Sequence, residues 1–593
     1  MNRAPSARRS RAAVAWSLLA VTLASLLAGA ACRSEPNVVL AAQPSEAGPC
    51  PDAVNPEPDG QLRSRAVSTQ HNDVARTGAT LSETALDTCS VPRLAELGQY
   101  AVDGQVYAQP LYAEHVSTAQ GVKNLLLVAT MADSLFAFDA DAPGSDPVWQ
   151  LGREHELGEP GFSARNVAGP NGILATPVID PEQGVIYLVS RDCAAGDSAP
   201  ARACEQRLFA VELGSGKIDA SVTIAGSVAN PASGLPTFFD PNLHWSRSAL
   251  LLQHGKLFVS FGSGPNGNAH EEDFAFHSWL FGYSVSDLSA VPSVYCSTPD
   301  FGGGAIWQSG NGPAADDDAV YFATGNGIHW PTPAGPASFP ETPQGDEDCL
   351  VRVPLTAQAD PSHYWDDRPY RADGNVFQYM EKNDIDLGTA GPLLIPDSPR
   401  LVIAGKSGIL YVLERSTLRP TQAPLEAFHT PSLADGQTKY IYSYDGGPHV
   451  HGSPVFFRPG SDAPDGGAGR GLIFLWPENE RLKSFAYDYA SGVLSELISA
   501  DVPLVASGGM LSLSASGARG DSAIVWASTV DADDAAGHLW ALSATTLALL
   551  WDGKLPAWAK FALPTIAAGR VYLASSSSKS GLSPAIVVFG LSR

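Results

Sequence analysis

A strand pattern that returns about eight times constrains the fold of this chain more than any other feature. A short polar lead with Gly or Pro runs into an apolar strand and a tight turn. A second strand ends in Phe, Tyr or Trp beside small residues, and an acidic or Ser/Thr/Gly turn follows. Gln109-Pro110-Leu111-Tyr112 with segments 125–130 and 135–139 shows it, as do Thr176-Pro177-Val178-Ile179 with 185–190 and 208–211, and Leu563-Pro564-Thr565-Ile566 with 570–575 and 585–590. A unit this small cannot bury both faces alone, so repetition at this period implies a propeller or solenoid.

The second strands of the units begin near Leu125, Val185, Leu257, Ala319, Leu401, Leu472, Ser522 and Arg570. They lie roughly 50–80 residues apart, longer than the ~40–45 of a simple WD repeat, and the excess falls in polar insertions such as 331–348 and 459–470. The last unit ends at Leu591 with no room for an outer strand. A strand at 97–102, before the first complete unit, supplies one, and that pairing removes the open sheet edge. The expectation is an all-β, eight-bladed β-propeller over 97–593, with a lead segment at 70–96. No amphipathic helix of note lies outside the lead and no βαβ alternation appears, which excludes a doubly wound fold. Many turns are in keeping with 57 Gly and 46 Pro.

The N-terminus reads as an export signal over 1–31. Arg3, Arg8, Arg9 and Arg11 precede an apolar stretch, and Gly29-Ala30-Ala31 precede Cys32. The small residues before Cys32 resemble a bacterial lipoprotein cleavage box, which implies lipidation at Cys32 and a periplasmic or outer-membrane location. Ordinary cleavage nearby is the alternative. Segment 32–69, rich in Pro, Ala, Ser and acidic residues, reads as a disordered tether. No later stretch approaches the ~18 apolar residues of a membrane span. In an oxidising compartment the other six cysteines can pair. Cys193 and Cys204 bracket a short polar loop between two strands and form the best pair. Cys50 with Cys89, and Cys296 with Cys349, follow only by elimination. No Cys-x-x-Cys or Cys/His cluster points to zinc. The net charge of −25 argues against nucleic acid or anionic membrane as partners and favours a soluble monomer.

Function in such a ring belongs to the channel and the loop faces. By register the innermost strands present Gln109, Thr176, Arg247, Gln308, Gly391, His449 or His451, Met510 and Lys560 to the channel. Such groups need partners, whether one another, water or a ligand. Alternation along His449-Val450-His451 puts both imidazoles on one face, continued by Asp445 and Ser453, within reach of one metal, with carboxylates from neighbouring blades, or of one substrate group; hydrogen bonding to adjacent backbone is the structural alternative. Arg247 and Lys560 suit an anion such as a carboxylate, phosphate or quinone acid; pairing to a buried carboxylate is the structural alternative. Trp245, Trp307 and Trp558 suit a planar ligand or packing between blades. Acidic runs such as Asp316-Asp317-Asp318 suit hairpin turns.

Ala210-Val211-Glu212-Leu213-Gly214-Ser215-Gly216-Lys217 resembles the blade motif of quinoprotein propellers, with looser copies at Leu539-Trp540-Ala541-Leu542 and Leu135-Phe136-Ala137-Phe138. His71–Gly78 resembles the segment before the first blade of quinoprotein alcohol dehydrogenases. The wording Asp103-Gly104-Gln105-Val106-Tyr107-Ala108-Gln109-Pro110 and Ile306-Trp307-Gln308-Ser309-Gly310-Asn311-Gly312-Pro313 is similar to exported bacterial proteins with quinoprotein-like (PQQ-like) repeats. The resemblance covers about 70–593 and implies a propeller of the quinoprotein alcohol dehydrogenase-like type. Enzymes of that type hold pyrroloquinoline quinone (PQQ) under a vicinal disulfide, with calcium bound by Glu and Asn and an Asp as base. This chain has no adjacent cysteines and no Cys-x-x-Cys-His haem site. Two readings follow. One is a binding or scaffold protein engaging a protein, peptide or glycan through its loop faces and polar channel. The other is a periplasmic PQQ-dependent oxidoreductase of alcohols or sugars.

Overall fold

The computed structural model describes residues 65–592, apart from 161–169, 194–203, 232, 264–275, 309, 329–344, 356–361, 367–383, 424, 427–447, 461–468, 532–535 and 577–580. The leader, Cys32 and Cys50 lie outside the described residues. The described part is built from antiparallel sheets, and eight of them form successive propeller blades. Blade 1 runs from its inner strand Leu111–Thr118 through Gly121–Ala129 and Leu135–Asp139 to Trp149–Leu151. The inner strands of blades 2 to 8 are Val178–Asp180, Leu251–Gln253, Ala314–Ala315, Leu393–Leu394, Val455–Phe457, Met510–Ser514 and Thr565–Ala567. The second strand of each blade falls where the repeat pattern puts it.

Position within a blade dictates residue type. A second strand is covered on both faces by neighbouring blades, so Ile524–Val530 is buried at every residue. The outer strand Val493–Ser499 of blade 6 buries one residue of seven and leaves the rest at least partly exposed. Among the described residues, no helix is long and apolar enough to cross a membrane. The helical turns there are three short 3-10 turns.

Ring closure follows the expected route. Leu94–Ala101 is the outer strand of blade 8, antiparallel to Ala585–Leu591 from Leu94↔Leu591 to Ala101↔Ala585. It starts three residues earlier than the apolar pattern suggests, because a register shift between Glu96 and Gly98 absorbs the break. Tyr100 on this strand stacks on Phe138 of blade 1 with centroids 4.6 Å apart, and its hydroxyl donates to Asp139 O at 2.6 Å.

The lead segment runs around the inside of the ring. It is engaged from Val67, which exchanges backbone hydrogen bonds with Tyr112 of blade 1. Ser68 O accepts from Ile179 of blade 2, Val74 O from Ala315 of blade 4, and Ala75 O from Leu394 of blade 5. Thr77 O accepts from Phe456 of blade 6, while Gly78 O and Thr80 O accept from Leu513 and Ala515 of blade 7. At blade 8 Thr80 Oγ1 donates to Ile566 O and Glu83 Oε2 accepts from Gly569 N. Blade 3 is reached by Arg76, whose Nη2 donates to Leu250 O at 3.2 Å. The lead thus touches all eight blades, its backbone meeting seven of them in chain order and the Arg76 side chain reaching back to blade 3. An inner strand otherwise leaves its ladder groups facing the channel, and buried backbone groups need partners.

Arg76 sits at the hub, with no side-chain exposure. Besides Leu250 O it donates to Pro313 O at 2.8 Å, Thr69 Oγ1 at 2.8 Å and Gln70 O at 2.7 Å. Left-handed backbone at His71, Asn72 and Arg76 curls the segment inward. Gly78 at φ +70° comes so close to blade 6 that a Cβ would lie 2.5 Å from Val455 Cγ1.

The cysteines divide. Cys193 and Cys204 are bonded, with Cα atoms 4.0 Å apart, across adjacent strands of blade 2. Cys89 is also disulfide-bonded. Elimination fails for the remaining two: neither Cys296 nor Cys349 is disulfide-bonded, and both are buried. Cys296 ends the outer strand of blade 3 and packs with Trp279 and Phe281. Cys349 opens the third strand of blade 4, packs with Phe322 and donates to Glu347 O. A reduced thiol behaves as a small apolar side chain, so burial in two separate clusters accounts for both.

Two outcomes test this fold. Arg76→Met leaves several buried acceptors without their donor, and we expect a loss of about 3 kcal/mol or more in urea unfolding; a loss below about 1 kcal/mol would contradict the hub role. Replacing Cys193 and Cys204 together by Ser opens the short bridged loop. It is expected to cost about 2–4 kcal/mol, read as a lowered unfolding midpoint relative to the oxidised parent.

Candidate functional site

The leads into the inner strands and the turns between second and third strands come to the same face of the ring, because those two strands are antiparallel. Side chains from blades far apart in sequence therefore converge there. The floor of this mouth is apolar: Tyr107, Met131, Leu174, Trp245, Met510, Phe561 and Leu563 form one buried cluster drawn from blades 1, 2, 3, 7 and 8. Trp245 is fixed in it by an indole N–H to Gly172 O at 3.3 Å.

Arg247, just before the inner strand of blade 3, lies over this floor. Its Cζ is 5.1 Å from the Trp307 ring centroid and 4.7 Å from that of Phe561. These contacts orient the guanidinium without using its donors, and the buried Nε has no hydrogen-bond acceptor among the described residues. Burial lowers its pKa to about 10, with Tyr107, Asp386 and Asp384 opposing. It remains charged at neutral pH. Lys560 stands across the same ring, its Nζ 4.9 Å from the Phe561 centroid.

Blade 5 adds Lys406, in the turn after Arg400–Ala404. Its Nζ lies 2.6 Å from both Asp386 Oδ2 and Asp384 Oδ2. Burial alone would raise the pKa of Asp386, but the Lys406 ammonium and a donation from Asn326 N at 2.9 Å hold it below the ordinary carboxylate value. Blade 6 adds His449, His451 and Glu478. His451 Nδ1 is 3.0 Å from Glu478 Oε1, and His449 Nδ1 is 3.7 Å from Glu478 Oε2. His451 is held neutral by burial and by the surrounding cations Lys560, Lys406 and Arg247. Burial raises the Glu478 carboxyl to about 7, against the pull of Lys560 and Lys406.

Of the expected channel residues, the structure brings Arg247, His449, His451 and Lys560 together at the mouth. Gln109 turns instead to the lead segment, accepting from His71 N at 3.0 Å. Thr176 Oγ1 accepts from Gln109 N, and Gln308 folds onto Gly312 O. These three belong to the wall between mouth and lead. Gly391 packs against Asn311 and Gln308 where no side chain fits, and Met510 lies in the floor. Ser453 accepts from Gly391 N, Asp445 lies outside the described residues, and Asp316 accepts from Asp318 N and Ala319 N within its hairpin turn. Asp386, Lys406, Glu478 and Phe561 are missed by a search confined to the inner strands. The signal for two of them is a charged residue in the turn after a second strand, as in Gly405-Lys406-Ser407-Gly408 and Trp476-Pro477-Glu478-Asn479.

No protein-family model matches this sequence, and no curated protein does. Solved structures match its fold. A quinohemoprotein alcohol dehydrogenase of Pseudomonas putida HK5 is similar at a TM-score of 0.54 and 13% identity, over 89% of this chain and 80% of that one. The fold is that of the quinoprotein alcohol dehydrogenases. The quinohemoprotein alcohol dehydrogenase of Comamonas testosteroni gives 0.52 and 15%, covering 89% and 81%. A europium-containing methanol dehydrogenase gives 0.53 and 13%, covering 89% and 98%.

The quinone-and-calcium arrangement that the resemblance implies does not fit the described residues. The chain has no adjacent cysteine pair, and among the described residues no three His, Cys, Asp or Glu side chains are grouped to hold a metal ion. What does fit is recognition of a carboxylate, since a guanidinium fork matches that group and aromatic rings beside it suit a flat body.

The Lys406 cluster makes a directional prediction. Lys406→Met leaves Asp386 buried with no ammonium, at an expected cost of about 3 kcal/mol or more at pH 7.5. In the parent, the lowered pKa of Asp386 gives stability above the ordinary carboxylate range that is lost as pH falls. In the variant that carboxyl titrates higher, so the deficit relative to parent shrinks toward pH 4.5. Unfolding midpoints of both proteins at the two pH values check this; a deficit that grows on acidification would contradict it.

Proposed function

We propose that this chain is an exported, lipid-anchored propeller that binds a small, flat, carboxylate-bearing ligand at the open channel mouth, and that its loop faces serve a protein, peptide or glycan partner. The observation that carries the ligand reading is Arg247: a half-buried cation flanked by aromatic rings, whose buried Nε has no acceptor among the described residues. A buried donor without an acceptor is costly, and a bound anion would satisfy it. Lys560, over the same Phe561 ring, adds a second positive charge in a protein whose net charge is strongly negative. The lipid anchor rests on Cys32 and the small residues before it.

A second reading is an oxidoreductase using the same mouth. It is favoured by the Asp386–Lys406 pair and by Glu478, a carboxyl titrating near neutrality where a general base works best. The two readings share the anion site and differ in turnover.

Calorimetric titration with PQQ and with benzene-1,3,5-tricarboxylate tests the site. Arg247→Ala is expected to weaken binding about 10–100-fold, or about 1.5–3 kcal/mol, with Lys560→Ala weaker in the same direction. Absence of binding by the parent protein would end the ligand reading. Alcohol-dependent reduction of an artificial electron acceptor by the PQQ-loaded protein would favour the oxidoreductase.

A further inference from the structure

The His449–Glu478–His451 cluster is more than a wall of the mouth. Resting on the anion-site reading above, we propose that it is a proton site, and that each anion bound at Arg247 brings one proton onto Glu478. One carboxylate faces two imidazoles, at 3.0 Å from His451 Nδ1 and 3.7 Å from His449 Nδ1. The groups facing this cluster come from four blades. Lys560 of blade 8 and Lys406 of blade 5 act on Glu478, and both act on His451 together with Arg247 of blade 3 and His449 of its own blade. Among the described residues, Asp384 and Asp386, bound to Lys406, add two further charges.

With Glu478 ionised and His451 neutral, the three cations Arg247, Lys406 and Lys560 are matched in number by three carboxylates among the described residues. An incoming anion then adds uncompensated negative charge, which raises the proton affinity of the nearest carboxylate. His451, ringed by cations, resists protonation, so the proton goes to Glu478. Its titration near 7 in the free protein fixes the direction of the linkage. Below about pH 7 Glu478 is already protonated and affinity is at its plateau. As pH rises above that point each binding event must first recruit a proton, and affinity falls by up to about tenfold per pH unit.

The test titrates the full-length protein with benzene-1,3,5-tricarboxylate, whose carboxylates stay ionised from pH 6 to 8.5, in buffers of different ionisation enthalpy. The expected result is uptake approaching one proton per anion above pH 7 and an affinity that weakens with rising pH. Glu478→Gln should bind at the plateau affinity at every pH with no proton uptake. Parent binding that is independent of pH, or a variant that keeps the parent's pH slope, would overturn the proton site and leave the anion site standing. No parent binding at any pH would overturn both.

Discussion

The path of segment 67–83 around the inside of the ring is the constraint on which the rest of this structure depends. A propeller blade ends inwardly in a short strand whose unpaired edge faces the channel. Here one peptide supplies partners to those edges blade after blade, from Val67 at Tyr112 to Glu83 at Gly569. The same chain then provides Leu94–Ala101 as the outer strand of blade 8. The ring is therefore fastened twice by neighbouring stretches of sequence, once along its inner rim and once at its outer seam. Arg76 joins the two requirements of such a plug, since one side chain satisfies acceptors of the lead itself and of blades 3 and 4.

That plug determines where a ligand site can exist. With the lead below and an apolar floor around Phe561 above it, the polar residues of the channel are confined to the face where the inner strands begin. Among the described residues, the charges there form two compact groups beside Arg247 and Lys560. Lys406 is matched by Asp384 and Asp386, and the two histidines share Glu478. Arg247 is oriented by Trp307 and Phe561, and its buried Nε has no acceptor among the described residues. The mouth thus presents one guanidinium Nε without an acceptor among the described residues, over the same ring as the Lys560 ammonium.

The fold was legible because it is periodic. Eight second strands, the missing outer strand near Leu591 and the strand before the first unit follow from the period and from the need to remove a sheet edge. The site was half legible for the same reason. Residues on the inner-strand leads, Arg247, His449, His451 and Lys560, occupy repeat positions and can be counted off. Gln109, Thr176 and Gln308 occupy like positions but spend their hydrogen bonds on the wall and the lead, which no register argument reveals. Asp386, Lys406 and Glu478 escaped because their turns meet the leads only once the ring has closed. Cysteine pairing by elimination failed at Cys296 and Cys349 because parity says nothing about which blade faces which, whereas Cys193 and Cys204 were readable from one hairpin.

A structure of the protein with benzene-1,3,5-tricarboxylate bound would test the central claim most directly, because the claim is about which atoms meet. The account predicts one carboxylate on the Arg247 fork at about 2.7–3.2 Å, the aromatic body against Trp307 or Phe561, and the lead segment unmoved beneath. A ligand seated elsewhere, or an Arg247 side chain turned onto a protein carboxylate with the mouth left empty, would contradict it.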